Sequence, residues 1–192
     1  MKEKNPKRRW GLILFIVVIM IGTSFSVFLY NDNPQAKIAK YNGIKFSNDG
    51  SKWTAKISGK YAAFSFLPSE VTDIKSPPEL NSLLSGRIEI DVTSEFNSTY
   101  KGPIAIAQDQ MSLVAGIYDV YIRTGFTGNN SFRFPIITCE DATKAVPVIY
   151  FRESNLTEIT IKDNCVIAEA SSETDFIKIK DRIVYGMLGV IK

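Results

Sequence analysis

Between Trp10 and Tyr30 the chain reads WGLILFIVVIMIGTSFSVFLY, a run of 21 residues without a charge. As a helix such a run is roughly 31 Å long, against a hydrocarbon core of about 30 Å. Lys2, Lys4, Lys7, Arg8 and Arg9 crowd its amino-terminal side, and no comparable basic cluster lies beyond its other end. The positive-inside tendency therefore predicts a basic cytoplasmic tail over 1–9 and a transmembrane anchor over 10–30, with the remainder outside the cell membrane. Trp10 and Tyr30 then mark the two interfaces, and the lipid bilayer is the first partner. The rival is a cleaved secretory signal with Ser24 and Ser26 as the small residues of the cut, against which Val27, Phe28 and Leu29 extend the apolar run to spanning length. Both readings export residues 31–192.

The formal net charge of +3 is an effect of the tail. Residues 1–9 hold five of the 23 basic and one of the 20 acidic side chains, which leaves 18 basic against 19 acidic elsewhere, a net of −1. That balance gives no electrostatic footprint for nucleic acid. The chain contains no histidine, which removes Ser-His-Asp and Cys-His catalysis, HExxH zinc proteases and every mixed cysteine/histidine zinc site. Two cysteines alone cannot complete an all-thiolate site, so neither a metal nor a cofactor is expected.

After a juxtamembrane linker over 31–40, the segment 41–192 reads as one exterior α/β (or α+β) domain with a mixed sheet. Its GIKFS, KWTAKI and YAAFSFL runs, separated by NDGS and SGK, predict a three-strand meander. Pro77 and Pro78 open a short helix over PPELNSLLSG, closed by Gly86. RIEIDV alternates as a half-buried strand, PIAIAQDQMSLVAG has helical spacing, and IYDVYIRTGF returns to strand, which predicts a right-handed crossover between parallel neighbours. PIIT, VPVIYF, LTEITI and CVIAEA come next as short β-rich runs. Ser172 is placed to cap a last, amphipathic helix in which Phe176, Ile179, Ile183, Val184, Met187, Leu188 and Ile191 form one apolar face for docking on the sheet. Gly186 and Gly189 could instead let that face approach a partner subunit or a second copy of the chain.

Cys139 and Cys165 both fall in the exported part, where a single bridge between them is the only pairing. Closing that loop would contribute about 3.5 kcal/mol on the chain-entropy model, and no histidine is present to activate a catalytic thiolate. Glu140 and Asp141, beside Cys139, form a candidate polar site, although adjacent residues point apart in an extended segment and a solvated turn is the simpler reading. Ser98 and Lys101 match Ser-x-x-Lys, but Gly102-Pro103 directly after argues against the helix that chemistry requires. Asn97, Asn129 and Asn155 stand in Asn-x-Ser/Thr sequons and are candidate glycosylation sites. Tyr118, Tyr121 and Phe126 could form an aromatic platform or simply pack across strands.

The charged tail and span, YNGIKF, FSFLPSEV, PIITCEDATKAVPVIYF, NCVIAEA and DFIKIKDRIVYGMLGVIK together resemble an uncharacterised archaeal group of single-span, surface-exposed membrane proteins. The resemblance covers most of the chain and implies topology and a cysteine pair, not a chemistry. With an anchor and a staple but no catalytic constellation, the sequence points to an extracytoplasmic binding or envelope-interaction module. The alternatives are a histidine-free hydrolase using carboxylates such as Glu70, Glu140 and Asp141, and a structural or assembly subunit of a membrane complex.

Overall fold

The computed structural model describes residues 10–11, 13–21 and 37–191. Two compact units divide the chain, Met1–Ala36 and Lys37–Lys192. In the first, residues 10–11 and 13–21 are helical and exposed. Among the described residues no helix is long and apolar enough to cross a membrane. The tail over 1–9, and Leu12 and residues 22–30 of the expected span, lie outside the described residues.

The second unit is mixed α/β, with two sheets and three helices. Its first sheet is an antiparallel meander of β1 (Lys37–Tyr41), β2 (Ile44–Asn48), β3 (Trp53–Ile57) and β4 (Lys60–Phe64). Four strands stand here, not the expected three, because β1 occupies the end of the segment read as linker. Asn42-Gly43 and Ser58-Gly59 both hold positive φ, the geometry of the tightest hairpins. Phe46 pairs across to Ala55 and Ala55 to Ala62, so one ring rests beside two small residues on the buried face.

The second sheet has the order β6-β5-β7-β9-β8, built from β5 (Glu89–Ser94), β6 (Tyr121–Phe126), β7 (Val148–Glu153), β8 (Glu158–Lys162) and β9 (Cys165–Ala170). All pairings are parallel except β8 with β9. The expected strand–helix–strand unit is present as β5, α2 (Lys101–Ile117) and parallel β6. PIIT does not form a strand and contributes only a bridge between Phe126 and Ile136. The α2 helix starts at Lys101 despite Gly102-Pro103, since a proline in the first turn has no intrahelical hydrogen bond to lose.

Between the sheets lie α2 and the last helix α3 (Glu173–Met187), with the short α1 (Glu79–Leu84) packed on α3. Tyr185 of α3 packs on Phe46 and Phe64 of the first sheet, while the same helix contacts β9 of the second. Ser172 caps it as expected, its hydroxyl accepting the N–H of Asp175. The expected single apolar face is incomplete, because α3 is buried all round from Ile179 to Met187, with Lys180, Asp181 and Arg182 inside. A helix covered on both sides has no solvent face, and its charges must find partners internally. Lys180 donates to Asp181, which also accepts the backbone N–H groups of Ser65 and Phe66. The open side of Gly186 is occupied by Asn81 of α1, within the chain, and Gly189 at φ +70° ends the helix turn.

The outer face of the second sheet is mixed, with a small apolar cluster of Ile137, Val148 and Cys165 beside buried charge. Asp91 is buried there under a bidentate pair from Arg123, at 2.7 and 2.5 Å. The crossover from β6 to β7 runs over this face, held where Thr93 donates to the carbonyl of Ile137 at 2.8 Å. Cys139 then bonds to Cys165 at the start of β9, with Cα atoms 5.2 Å apart, so the bridge ties the crossover to the sheet.

Candidate functional site

Strands β5, β7 and β9 run parallel and end at one edge of the sheet. From β5 the chain goes to β6 on one side, and then crosses back to β7 on the other. The connections thus diverge between β5 and β7, the position at which open α/β sheets leave a crevice beyond their carboxyl ends. A cleft of about 540 Å³ lies there, lined by Glu95, Tyr100, Glu153, Ser154, Asn155 and Ser171.

Each lining group is set by an element end. Glu95 directly succeeds β5 and accepts the hydroxyl of Tyr150 at 2.8 Å. Burial pushes the Tyr150 phenol up to about 12, and the hydrogen bond to Glu95 adds to the shift. Glu153 ends β7 and accepts the hydroxyls of Ser98 and Thr99 just before α2. In both carboxylates one oxygen takes these bonds, leaving Oε2 of Glu95 and Oε1 of Glu153 as acceptors. Tyr100 packs its ring 5.6 Å from Phe176 and donates its hydroxyl to the carbonyl of Ser171 at 3.4 Å. Behind the cleft Asp175 gathers the hydroxyls of Thr157, Ser171 and Ser172 at 3.0, 3.1 and 2.7 Å. Burial alone would raise the carboxyl of Asp175, but these donors outweigh it and hold the group below its usual range.

The residues singled out from sequence are distributed differently. Cys139 and Cys165 form the disulfide. Asp141 accepts the N–H and hydroxyl of Thr138 at 2.7 and 3.0 Å, capping the 3-10 turn Cys139–Asp141, and Glu140 is exposed on that turn. The backbone N–H and hydroxyl of Thr138 hold the Asp141 carboxyl low. Glu70 likewise accepts the N–H of Leu67 at 2.7 Å in the turn after β4. These carboxylates are local caps, and the pair that shares a cleft is Glu95 with Glu153. Ser98 accepts the N–H of Tyr100 at 3.1 Å and donates to Glu153, while Lys101 is exposed. Tyr118 sits at the end of α2, donating to Ile57, whereas Tyr121 and Phe126 are on β6, so the three form no single platform.

Asn97, Asn129 and Asn155 are all exposed, and they come after β5, β6 and β7 at the same edge. Among the described residues no group of three or more Cys, Asp or Glu side chains is placed to hold a metal ion. The cleft residues had a signal in the sequence: three apolar runs end in SEFNS, ESN and SSE. That signal acquires meaning only when the three runs are parallel neighbours. The chain matches no known family, no curated protein and no solved structure.

Proposed function

We propose that this is an exported, membrane-anchored domain that binds a saccharide in the cleft beyond β5, β7 and β9. The cleft carries the reading. It offers two free carboxylate oxygens, the amide of Asn155 and the hydroxyls of Ser154 and Ser171, a set that suits a ligand rich in hydroxyl donors. No basic side chain lines it, which disfavours phosphate or carboxylate ligands. The anchor rests on the charge-free run with its basic flank, and the exterior location on the disulfide, since such bonds persist where no cytosolic reductant reaches. Membership of the archaeal single-span group belongs to the same proposal.

Calorimetric titration of the full chain in detergent with a panel of neutral oligosaccharides tests the cleft. Binding that Glu95→Gln and Glu153→Gln each weaken at least tenfold supports it, while binding indifferent to both moves the site elsewhere. Binding of spermidine in place of any sugar overturns the ligand class. The shared cleft also favours a second reading, a carboxylate-dependent hydrolase in which Glu95 and Glu153 act on the bound sugar. Release of reducing ends from a bound oligosaccharide, abolished by either Glu→Gln change, would decide for it.

A further inference from the structure

Beyond β6 the chain passes through a loop, Thr127 to Ile137, whose first half is organised by one side chain. Asn130 accepts the N–H groups of Phe132 and Phe134 at 3.1 and 3.0 Å and donates to the carbonyl of Phe134 at 3.0 Å. Arg133 is held between them at φ +60°. The two rings extend an edge-to-face series, Phe132 with Phe96 at 5.7 Å, Phe96 with Phe126 at 5.4 Å and Phe126 with Phe134 at 5.8 Å. Phe132 and Phe134, at the ends of this series, and Ile136 remain 67, 47 and 53% exposed. The loop thus displays apolar rings to water on a backbone tied in place.

Charge narrows what covers them. From Tyr121 to Cys139 there is no acidic residue. Arg123 is neutralised by Asp91 and Glu89, whereas Arg133 makes no ion pair among the described residues. An apolar ring cluster flanking an unpaired guanidinium matches a bilayer interface, where rings reach the acyl boundary and a cation meets headgroup phosphate. A protein partner fits less well, because Phe132, Arg133, Phe134 and Ile136 fall short of the roughly 20–30 residues a side of a stable interface.

We propose that the loop over 127–137 docks on a bilayer bearing anionic headgroups, inserting Phe132 and Phe134 with Arg133 at the phosphate level. This rests on the exterior-anchored reading only in placing the chain at a membrane. It also requires Asn129, in the same loop, to carry no glycan, since a bulky hydrophilic group there would hold the rings off the surface.

The test uses the full, oxidised chain reconstituted in phosphatidylcholine vesicles with and without phosphatidylglycerol. A nitroxide is placed at Ser131→Cys, beside the rings, in one sample and at Phe15→Cys, in the N-terminal run, in another. Collision with oxygen and with a water-soluble nickel chelate reports immersion. Docking predicts that the label at 131 becomes shielded from nickel at least threefold when phosphatidylglycerol is present, and that Arg133→Glu or Phe132→Ser with Phe134→Ser reverses this. A label at 131 that stays open to nickel while that at 15 is immersed overturns the docking loop and leaves the anchor standing. The converse result overturns the anchor and sustains the loop. Dipolar broadening at 131 regardless of lipid identifies a second copy as the occupant, and a glycan found on Asn129 by intact mass of the wild-type chain, in which Ser131 completes the sequon, also overturns the proposal.

Discussion

Asp181, in the last helix, accepts the backbone N–H of Phe66, just past the end of β4, at 2.8 Å. The same oxygen takes the N–H of Ser65 at 2.9 Å, while the other oxygen faces Lys180. One buried carboxylate therefore closes the end of the first sheet and neutralises the ammonium beside it. Asp181→Ala leaves Lys180 charged in the interior and two N–H groups unpaired, and is expected to destabilise the domain by about 3–5 kcal/mol. Lys180→Met combined with Asp181→Asn removes both charges, keeps an acceptor, and recovers most of that loss in denaturant unfolding.

Reducing the Cys139–Cys165 bond releases the crossover from the start of β9. With a sequence separation of 26 between the cysteines, the expected loss is about 3.5 kcal/mol on the chain-entropy model. Thermal unfolding with and without reductant measures it, and Cys139→Ser with Cys165→Ser should reproduce the reduced value.

Gly125 marks the closest passage of that crossover. A Cβ there would stand 2.6 Å from the carbonyl oxygen of Pro135 and 2.7 Å from Cδ1 of Ile137. Backbone cannot rotate away as a side chain end can, so Gly125→Ala is expected to destabilise by about 1–3 kcal/mol. Limited proteolysis should show the added cleavage within 127–137 and not in the meander.

Acid acts in a defined direction. Asp49, with the N–H groups of Ser51 and Lys52 as the leading causes, is lowered to about 2, and Asp141 and Asp175 are also lowered. Each binds a proton less readily folded than unfolded, so its contribution is present above the ordinary value of 3.8 and is lost as pH falls below it, for Asp49 toward about 2. Asp181 is shifted the other way by burial, which gives a gain as pH falls toward that ordinary value from above. A melting profile should therefore rise slightly and then drop in the wild type, and show only the drop in Asp181→Asn.

Ser172 offers a smaller, cleaner perturbation. Its hydroxyl accepts the N–H of Asp175 at 3.2 Å and donates to that carboxylate at 2.7 Å. Ser172→Ala should cost about 1 kcal/mol, and Ser172→Gly less, when compared by chemical unfolding.

Local pattern carried much of the fold. The turns after β2 and β3, the β5–α2–β6 unit, the Ser172 cap and the cysteine pair were legible because each depends on neighbours in sequence or on a count of two. Strand β1 was not, since Lys37, Ile38 and Lys40 are exposed and only pairing with β2 makes KIAKY a strand. The full burial of α3 was hidden because Lys180, Asp181 and Arg182 look like a solvent face until a second sheet is laid over them. The cleft was hidden for a third reason: Glu95, Glu153 and Ser171 meet through strand order, which short apolar runs leave open.

Of the helices packed on the two sheets, α3 alone follows every strand in the chain. By the time Glu173 emerges, every strand from β1 to β9 has been made, yet Phe46 and Phe64 still lack Tyr185, and Phe151 still lacks Phe176, as packing partners. Completion of the core thus waits on a single late segment. A polypeptide interrupted before that segment has α2 in place but leaves much of both apolar faces open, a state for proteolytic clearance and not a partly working domain.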